Sequence, residues 1–150
     1  MNWNTRKATH WGVTPEEWGK ANWSEPLSSE RGLGIVKDDH EIIRRACNML
    51  PSKVSEEQME QTRLAKEERM KLAVTAIRLE IVRTLKQRGY LIGLISNADV
   101  IDKMHWSESP LASYFDDVIF SCDVGFLKPD RKIYELSLEH LGVEGKAAVF

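Results

Sequence analysis

Cysteine is scarce in this sequence: the 150-residue chain carries two, Cys47 and Cys122, far apart and outside any CxxC pair. Such usage excludes a disulfide framework and predicts two reduced, packed thiols. Long apolar runs are missing as well. No stretch approaches the roughly 20 consecutive apolar residues of a membrane span, and the opening Met1-Asn2-Trp3-Asn4 lacks the apolar core of a secretion signal. A cytoplasmic protein without a membrane partner is expected. Neither charge sign dominates: 21 Lys and Arg stand against 23 Asp and Glu, giving a net charge of −2, and no basic run is longer than two residues, as at Arg44-Arg45. That surface has no electrostatic footprint for nucleic acid. His10, His40, His105 and His140 form no HExxH or Cys/His spacing and read as solvated or locally bonded, so no metal ligand is assigned. Arg31-Gly32-Leu33-Gly34 is a lone GxG without a preceding strand, which argues against a nucleotide loop.

What is present is an ordinary globular composition, 42% hydrophobic, with enough length for one core plus a small appended unit. The first half reads as helical. Thr14, Pro15 and Glu17 make a capping box with proline at the first helical position, so a short helix should run through Trp23. Pro26, Ser28, Ser29, Gly32 and Gly34 predict a loop. Asp38 is suited to cap a second helix, whose stripe is Ile42, Ile43, Ala46, Met49 and Leu50. Ser55 and Gln58 begin a third. The basic residues from Arg63 to Lys71 alternate with Glu67 and Glu68, which predicts a solvated helical face. No Gly or Pro follows until Gly89, and a break near Ala73 divides this run. Beyond it, Val74, Ile77, Ile81, Val82 and Leu85 recur at helical spacing. Trp3, Trp11, Trp18 and Trp23 crowd the first helices and read as aromatic packing.

At Tyr90 the period changes. Tyr90 to Ile95 is a short continuous apolar run, as in a parallel strand covered on both faces, and Val118-Ile119-Phe120 is a second. Asp130 to Leu141 predicts a helix, and Ala147 to Phe150 a third strand. The order predicts an α/β fold: a partial, Rossmann-like parallel sheet within residues 74–150, preceded by a helical subdomain within residues 1–73.

Ligands of open parallel sheets bind beyond the carboxyl ends of the strands. Ser96, Asn97 and Asp99 follow the first apolar run; Ser121, Cys122, Asp123 and then Lys128-Pro129-Asp130 follow the second. A hydroxyl and an amide at one strand end with an ammonium at the next make a cradle for an anion, because phosphate oxygens accept hydrogen bonds and lysine supplies a compact positive charge. Pro129 restricts Lys128 to an extended conformation, and Asp130 is suited to open the following helix.

Leu94-Ile95-Ser96-Asn97, Phe115-Asp116 and Gly125-Phe126-Leu127-Lys128-Pro129-Asp130, at their mutual spacing, resemble the second and third motifs of the haloacid dehalogenase-like (HAD) hydrolase superfamily. The N-terminal helices look like the helical cap of its subfamily I. The resemblance implies a magnesium-dependent phosphatase of a small phosphorylated metabolite, working through an aspartyl-phosphate intermediate. It gives catalytic roles to Ser96 and Lys128 and a substrate-binding role to Asn97. Mg2+ is the implied cofactor, without a ligand set in these residues.

The resemblance also implies an aspartate nucleophile in a DxD strand ahead of the cap and metal-binding acids after the fourth strand. Asp38-Asp39 and Asp116-Asp117 sit where a helix cap and a turn are predicted and do not match these motifs. The expectation is therefore a fragment lacking the first and fourth motifs, inactive by itself. The alternatives are a non-catalytic interaction module that retains the anion pocket, or a haloacid dehalogenase, which shares the fold and attacks carbon.

Overall fold

The computed structural model describes residues 13–71 and 76–150. Helix α1 (Pro15–Asn22) starts at the predicted box: the Thr14 hydroxyl accepts the Glu17 amide, and the Glu17 carboxylate accepts the Thr14 amide at 2.6 Å. Helix α2 (Leu27–Gly32) occupies the stretch predicted as loop. Burial of Leu27, at 1% exposure, adds tertiary support to a local bond in which the Glu25 carboxylate accepts the Ser29 amide at 3.2 Å. Helix α3 (Asp39–Asn48) is capped by Asp38, which accepts the Glu41 amide at 2.7 Å. Helix α4 (Glu56–Lys71) opens with the reciprocal Ser55 and Gln58 bonds at 2.9 and 3.2 Å. Helix α5 (Ala76–Gln87) follows. The break near Ala73, with Trp3, Trp11 and His10, lies outside the described residues.

Two parallel strands, β1 (Gly93–Ser96) and β2 (Asp117–Phe120), pair in the register Gly93 to Asp117 through Ser96 to Phe120, so their carboxyl ends are level. The connection between them holds α6 (Val100–Lys103) and short 3-10 turns at Trp106–Glu108 and Ala112–Tyr114. After β2 come α7 (Ser121–Val124) and α8 (Arg131–Leu141), the latter capped by Asp130 and ended by Gly142 at φ 65°. Helices first and then a small parallel sheet wound with helices give the expected α/β class. Helix α8 packs on both strands. Gly93 permits its close approach, since a Cβ there would lie 3.1 Å from Ser137 Oγ and 3.2 Å from Leu141.

Three further expectations change around the sheet and α5. Strand β1 is half-buried instead of covered on both faces, and Tyr90 and Leu91 before it are exposed. The helical stripe of α5 leaves Ile81 exposed, while Val82 and Leu85 are half-buried. Ala147 to Phe150 is not a strand: a 3-10 turn covers Gly145–Ala147, and Val149 and Phe150 are exposed. Ala148 has extended dihedrals (φ −109°, ψ 150°), but no described strand lies alongside to accept its ladder bonds, and extended backbone becomes sheet only by pairing.

The main core lies among the helices. It gathers Trp18, Leu27, Ile42, Ile43, Ala46, Cys47 and Leu50, and Ile101 of α6 enters it from the sheet side. Of the tryptophans, Trp18 is packed there, whereas Trp23 is exposed with the Arg31 guanidinium 4.8 Å above its ring. Both cysteines are buried and free, and burial pushes the Cys47 thiol up to about 11. The second part of the GxG stretch also serves packing: Gly34, at φ 70°, presses against the Cys122 carbonyl, where a Cβ would lie 2.0 Å away. Only glycine tolerates both the dihedral and the contact.

A second tie joins α4 to the turn after α6. His105 places Nε2 at 2.7 Å from Glu67 and Nδ1 at 2.8 Å from Glu108, so both ring nitrogens donate only when the imidazole is protonated. Glu108 and Glu67 together raise its pKa above the ordinary value of 6.5. His105 and Lys71 draw Glu67 down to about 2. The histidine's contribution is therefore complete below about pH 6.5 and lost as pH rises through the raised pKa, while that of Glu67 is lost only in strong acid. Thermal melts from about pH 5 to about pH 9 should show an alkaline loss of stability in the wild type that His105→Gln lacks. Parallel profiles for the two proteins would remove His105 from the tie.

Candidate functional site

The level strand ends place Ser96 opposite Phe120, so the turn after β1 lies beside Ser121 at the start of α7. Ser121 is wholly buried. Its hydroxyl accepts the Ala98 amide at 3.0 Å and reaches the Ala98 carbonyl at 3.3 Å, clasping the turn by its backbone. Asn97 reaches across to the loop after α7. Its amide oxygen accepts the Lys128 backbone N–H at 2.7 Å, and its Nδ2 donates to the Lys128 carbonyl at 3.0 Å. This two-point clamp sets the backbone of Lys128, and the half-buried side chain returns to β1, where Nζ donates to the Ile95 carbonyl at 2.7 Å.

The three residues singled out from sequence are therefore brought together at one end of the sheet. Lys128 and Ser96 meet there through the side chain of one and the neighbouring peptide of the other. Asn97 directs its amide to the Lys128 backbone. An ammonium has three donors, and one is used on Ile95. Among the described residues, neither the other two donors nor the Ser96 hydroxyl has a partner. Unused donors on residues at the carboxyl end of a parallel strand are chemically suited to an anion.

Beneath the turn lies a group whose role sequence reasoning did not assign. Asp99 is 2% exposed, and its Oδ2 receives Arg31 Nη1 at 3.1 Å and Lys66 Nζ at 2.5 Å. Its Oδ1 accepts the Ile101 and Asp102 amides at 2.9 and 3.0 Å, capping α6. Burial alone raises the Asp99 carboxyl, but Lys66, the capping bonds and Arg31 outweigh it, so the net shift is downward. Lys66 also lies 3.3 Å from Asp102 Oδ1, and Arg31 donates to the Asn22 carbonyl at 3.0 Å. Lys66 is 6% exposed and Arg63 is half-buried, which corrects the expectation of a solvated face on that part of α4. Fixed carboxylates opposite them are the cause: Arg63 lies 3.0 Å from Asp39. The one available sequence signal was Asp99 three residues before Asp102, a capping-box spacing that α6 realises.

The other carboxylate pairs have local duties. Asp38 caps α3, and Asp39 meets Arg63. Asp116 accepts the Ile92 amide at 2.7 Å and pairs with Lys86, and Asp117 accepts from Ser137 at 2.8 Å and faces His140 at 2.9 Å. Among the described residues, no three His, Cys, Asp or Glu side chains converge as a metal-ligand set, so the residues present do not fit the magnesium that the resemblance implies. No helix among them is long and apolar enough to cross a membrane.

Comparison with known proteins agrees with the motif reading. The family model described as haloacid dehalogenase-like hydrolase matches residues 56–150, and the chain belongs to that family. Glyceraldehyde 3-phosphate phosphatase of Methanothermobacter thermautotrophicus is 35% identical over 68 residues, covering 43% of this chain and 29% of the relative. Bifunctional epoxide hydrolase 2 of Sus scrofa is 34% identical over 77 residues, covering 48% of this chain and 14% of that protein. The chain thus spans less than a third of either relative.

Ser121 offers a direct check of the turn. Replacing it by alanine leaves the buried Ala98 amide without its acceptor, at a cost of about 1–3 kcal/mol. A urea midpoint lowered accordingly is expected for Ser121→Ala, and an unchanged midpoint would mean that the hydroxyl does not hold the turn.

Proposed function

We propose that the chain forms the phosphate-recognising part of a HAD-like phosphatase acting on a small phosphorylated metabolite. The observation that carries this reading is the Lys128 ammonium, with two unused donors, held against the carboxyl end of β1, the strand that ends in Ser96. Ser96 donates to a phosphoryl oxygen, and Lys128 offsets the charge that gathers there during transfer. Asn97 orients the bound group through Lys128, whose backbone it clamps. The printed name of the archaeal relative supports a phosphorylated small molecule as substrate. In this reading residues 1–73 act as a helical cap and residues 74–150 as part of the core, in a cytoplasmic enzyme.

The nucleophile implied by the family is an aspartate that attacks phosphorus, breaking the bond to the substrate's alcohol oxygen, which leaves as the protonated alcohol; water then hydrolyses the aspartyl-phosphate to free carboxylate and inorganic phosphate. Asp38, Asp39, Asp116 and Asp117 are engaged in caps, turns and ion pairs, so this chain's share of the chemistry is binding and charge compensation. Magnesium belongs to the same family reading, and no residue of this chain is assigned to it.

Titration of the 150-residue chain with inorganic phosphate, followed in amide NMR spectra, tests the proposal. Shifts should concentrate at Ser96 and Lys128 and disappear in Lys128→Ala, which should still fold, with a stability lowered by about 0.5–1.5 kcal/mol for the lost bond to Ile95. No shifts in the wild type, or undiminished binding in the variant, would overturn it. The chain alone should not turn over sugar phosphates or an aryl phosphate with added magnesium. Turnover that Lys128→Ala abolishes would place a nucleophile within these residues.

A further inference from the structure

We infer that Asp99 is a positioning residue. Held by Arg31 and Lys66 of the helical layer, it fixes the turn that carries Ser96 and Asn97, and through Asn97 it fixes the backbone of Lys128. The inference rests on the phosphate reading only for what the positioned groups bind.

The two carboxylate oxygens divide the work. Oδ2 meets both cations, one from α2 and one from α4, while Oδ1 holds the two amides that begin α6. The direction of the carboxylate is thus set from outside the sheet and transmitted to the backbone immediately after Asn97. Ser121 holds the same turn from the β2 side at Ala98. Ser96 and Asn97 lie between the end of β1 and these two anchors. Asn97 then passes its position to Lys128 through two bonds to one residue's backbone.

Stability alone gives no reason for ions at this place. A buried charge cluster loses hydration, and apolar side chains of similar volume serve stability equally well. Charge-assisted bonds differ from apolar contacts in having direction, and direction is what a turn presenting a hydroxyl and an amide requires. Both Asp102, 3.3 Å from Lys66, and the Asn22 carbonyl bonded to Arg31 keep the cations aimed at Asp99.

Amide hydrogen exchange on the 150-residue chain tests this without reference to activity. In Lys66→Met, the Ala98, Ile101 and Lys128 amides should exchange about tenfold faster or more, while those of α8 keep wild-type rates. Lys66→Arg should restore protection. Where Lys66→Met does not fold, Lys66→Met/Asp99→Asn removes opposite charges together, keeps an acceptor for the α6 amides, and is read in the same way. Unchanged exchange at Ile101 and Lys128, uniform acceleration across all amides, or failure of the arginine to restore protection would overturn the inference. Inorganic phosphate supplies a separate readout, and its affinity at Ser96 should fall about fivefold or more in Lys66→Met. A wild-type chain that ignores phosphate while showing the expected exchange pattern would remove the phosphate reading and leave the positioning role standing.

Discussion

A single buried carboxylate, Asp99, organises the meeting of the helices with the sheet. It is shut away from water with a guanidinium and an ammonium on one oxygen and two backbone amides on the other. The bonds that stabilise its charge outweigh the burial that opposes it, so the carboxylate stays ionised across the neutral range. Each partner constrains the others, because removal of one member from such a cluster leaves an uncompensated charge at a cost on the order of 3–5 kcal/mol. The consequence for the fold is that α2, α4 and the turn after β1 meet at one point. Helix α6 begins there, and its Ile101 enters the helical core.

The candidate site stands on that arrangement. Parallel strands with level ends place Ser96 opposite Phe120, and Ser121, the next residue, closes the turn from the other strand. Asn97 converts the position of the turn into the position of Lys128, whose ammonium returns to the peptide next to Ser96. The groups that would meet an anion are thus supported by hydrogen bonds to backbone, while packing holds the scaffold behind them. The chain's membership of the HAD-like hydrolases sets that geometry in a family context.

What was legible in the sequence was local. Thr14, Asp38, Ser55 and Asp130 announce helices because caps act within three residues, and the apolar runs at Leu94 and Val118 announce strands. Motif spacing singled out Ser96, Asn97 and Lys128 as candidates, and the fold sets Asn97 against the Lys128 backbone and Lys128 Nζ against the Ile95 carbonyl. The partners of Asp99 were not: Arg31 and Lys66 stand 68 and 33 residues away, one in a stretch rich in turn formers and the other in a charged run. Polar patterning identifies a helical face but not whether a distant carboxylate will cover it. Ala147 to Phe150 shows the converse, since strand-like composition becomes a strand only where another backbone lies alongside.

The account stands most directly on the coupling between Lys66 and Asp99, which a double-mutant cycle with Lys66→Met and Asp99→Asn measures by urea unfolding. If the ionic cluster joins the two layers, the double variant should be more stable than the sum of the single effects implies, by more than about 1 kcal/mol. Additivity within about 0.5 kcal/mol would show that the two side chains act independently and would contradict the account.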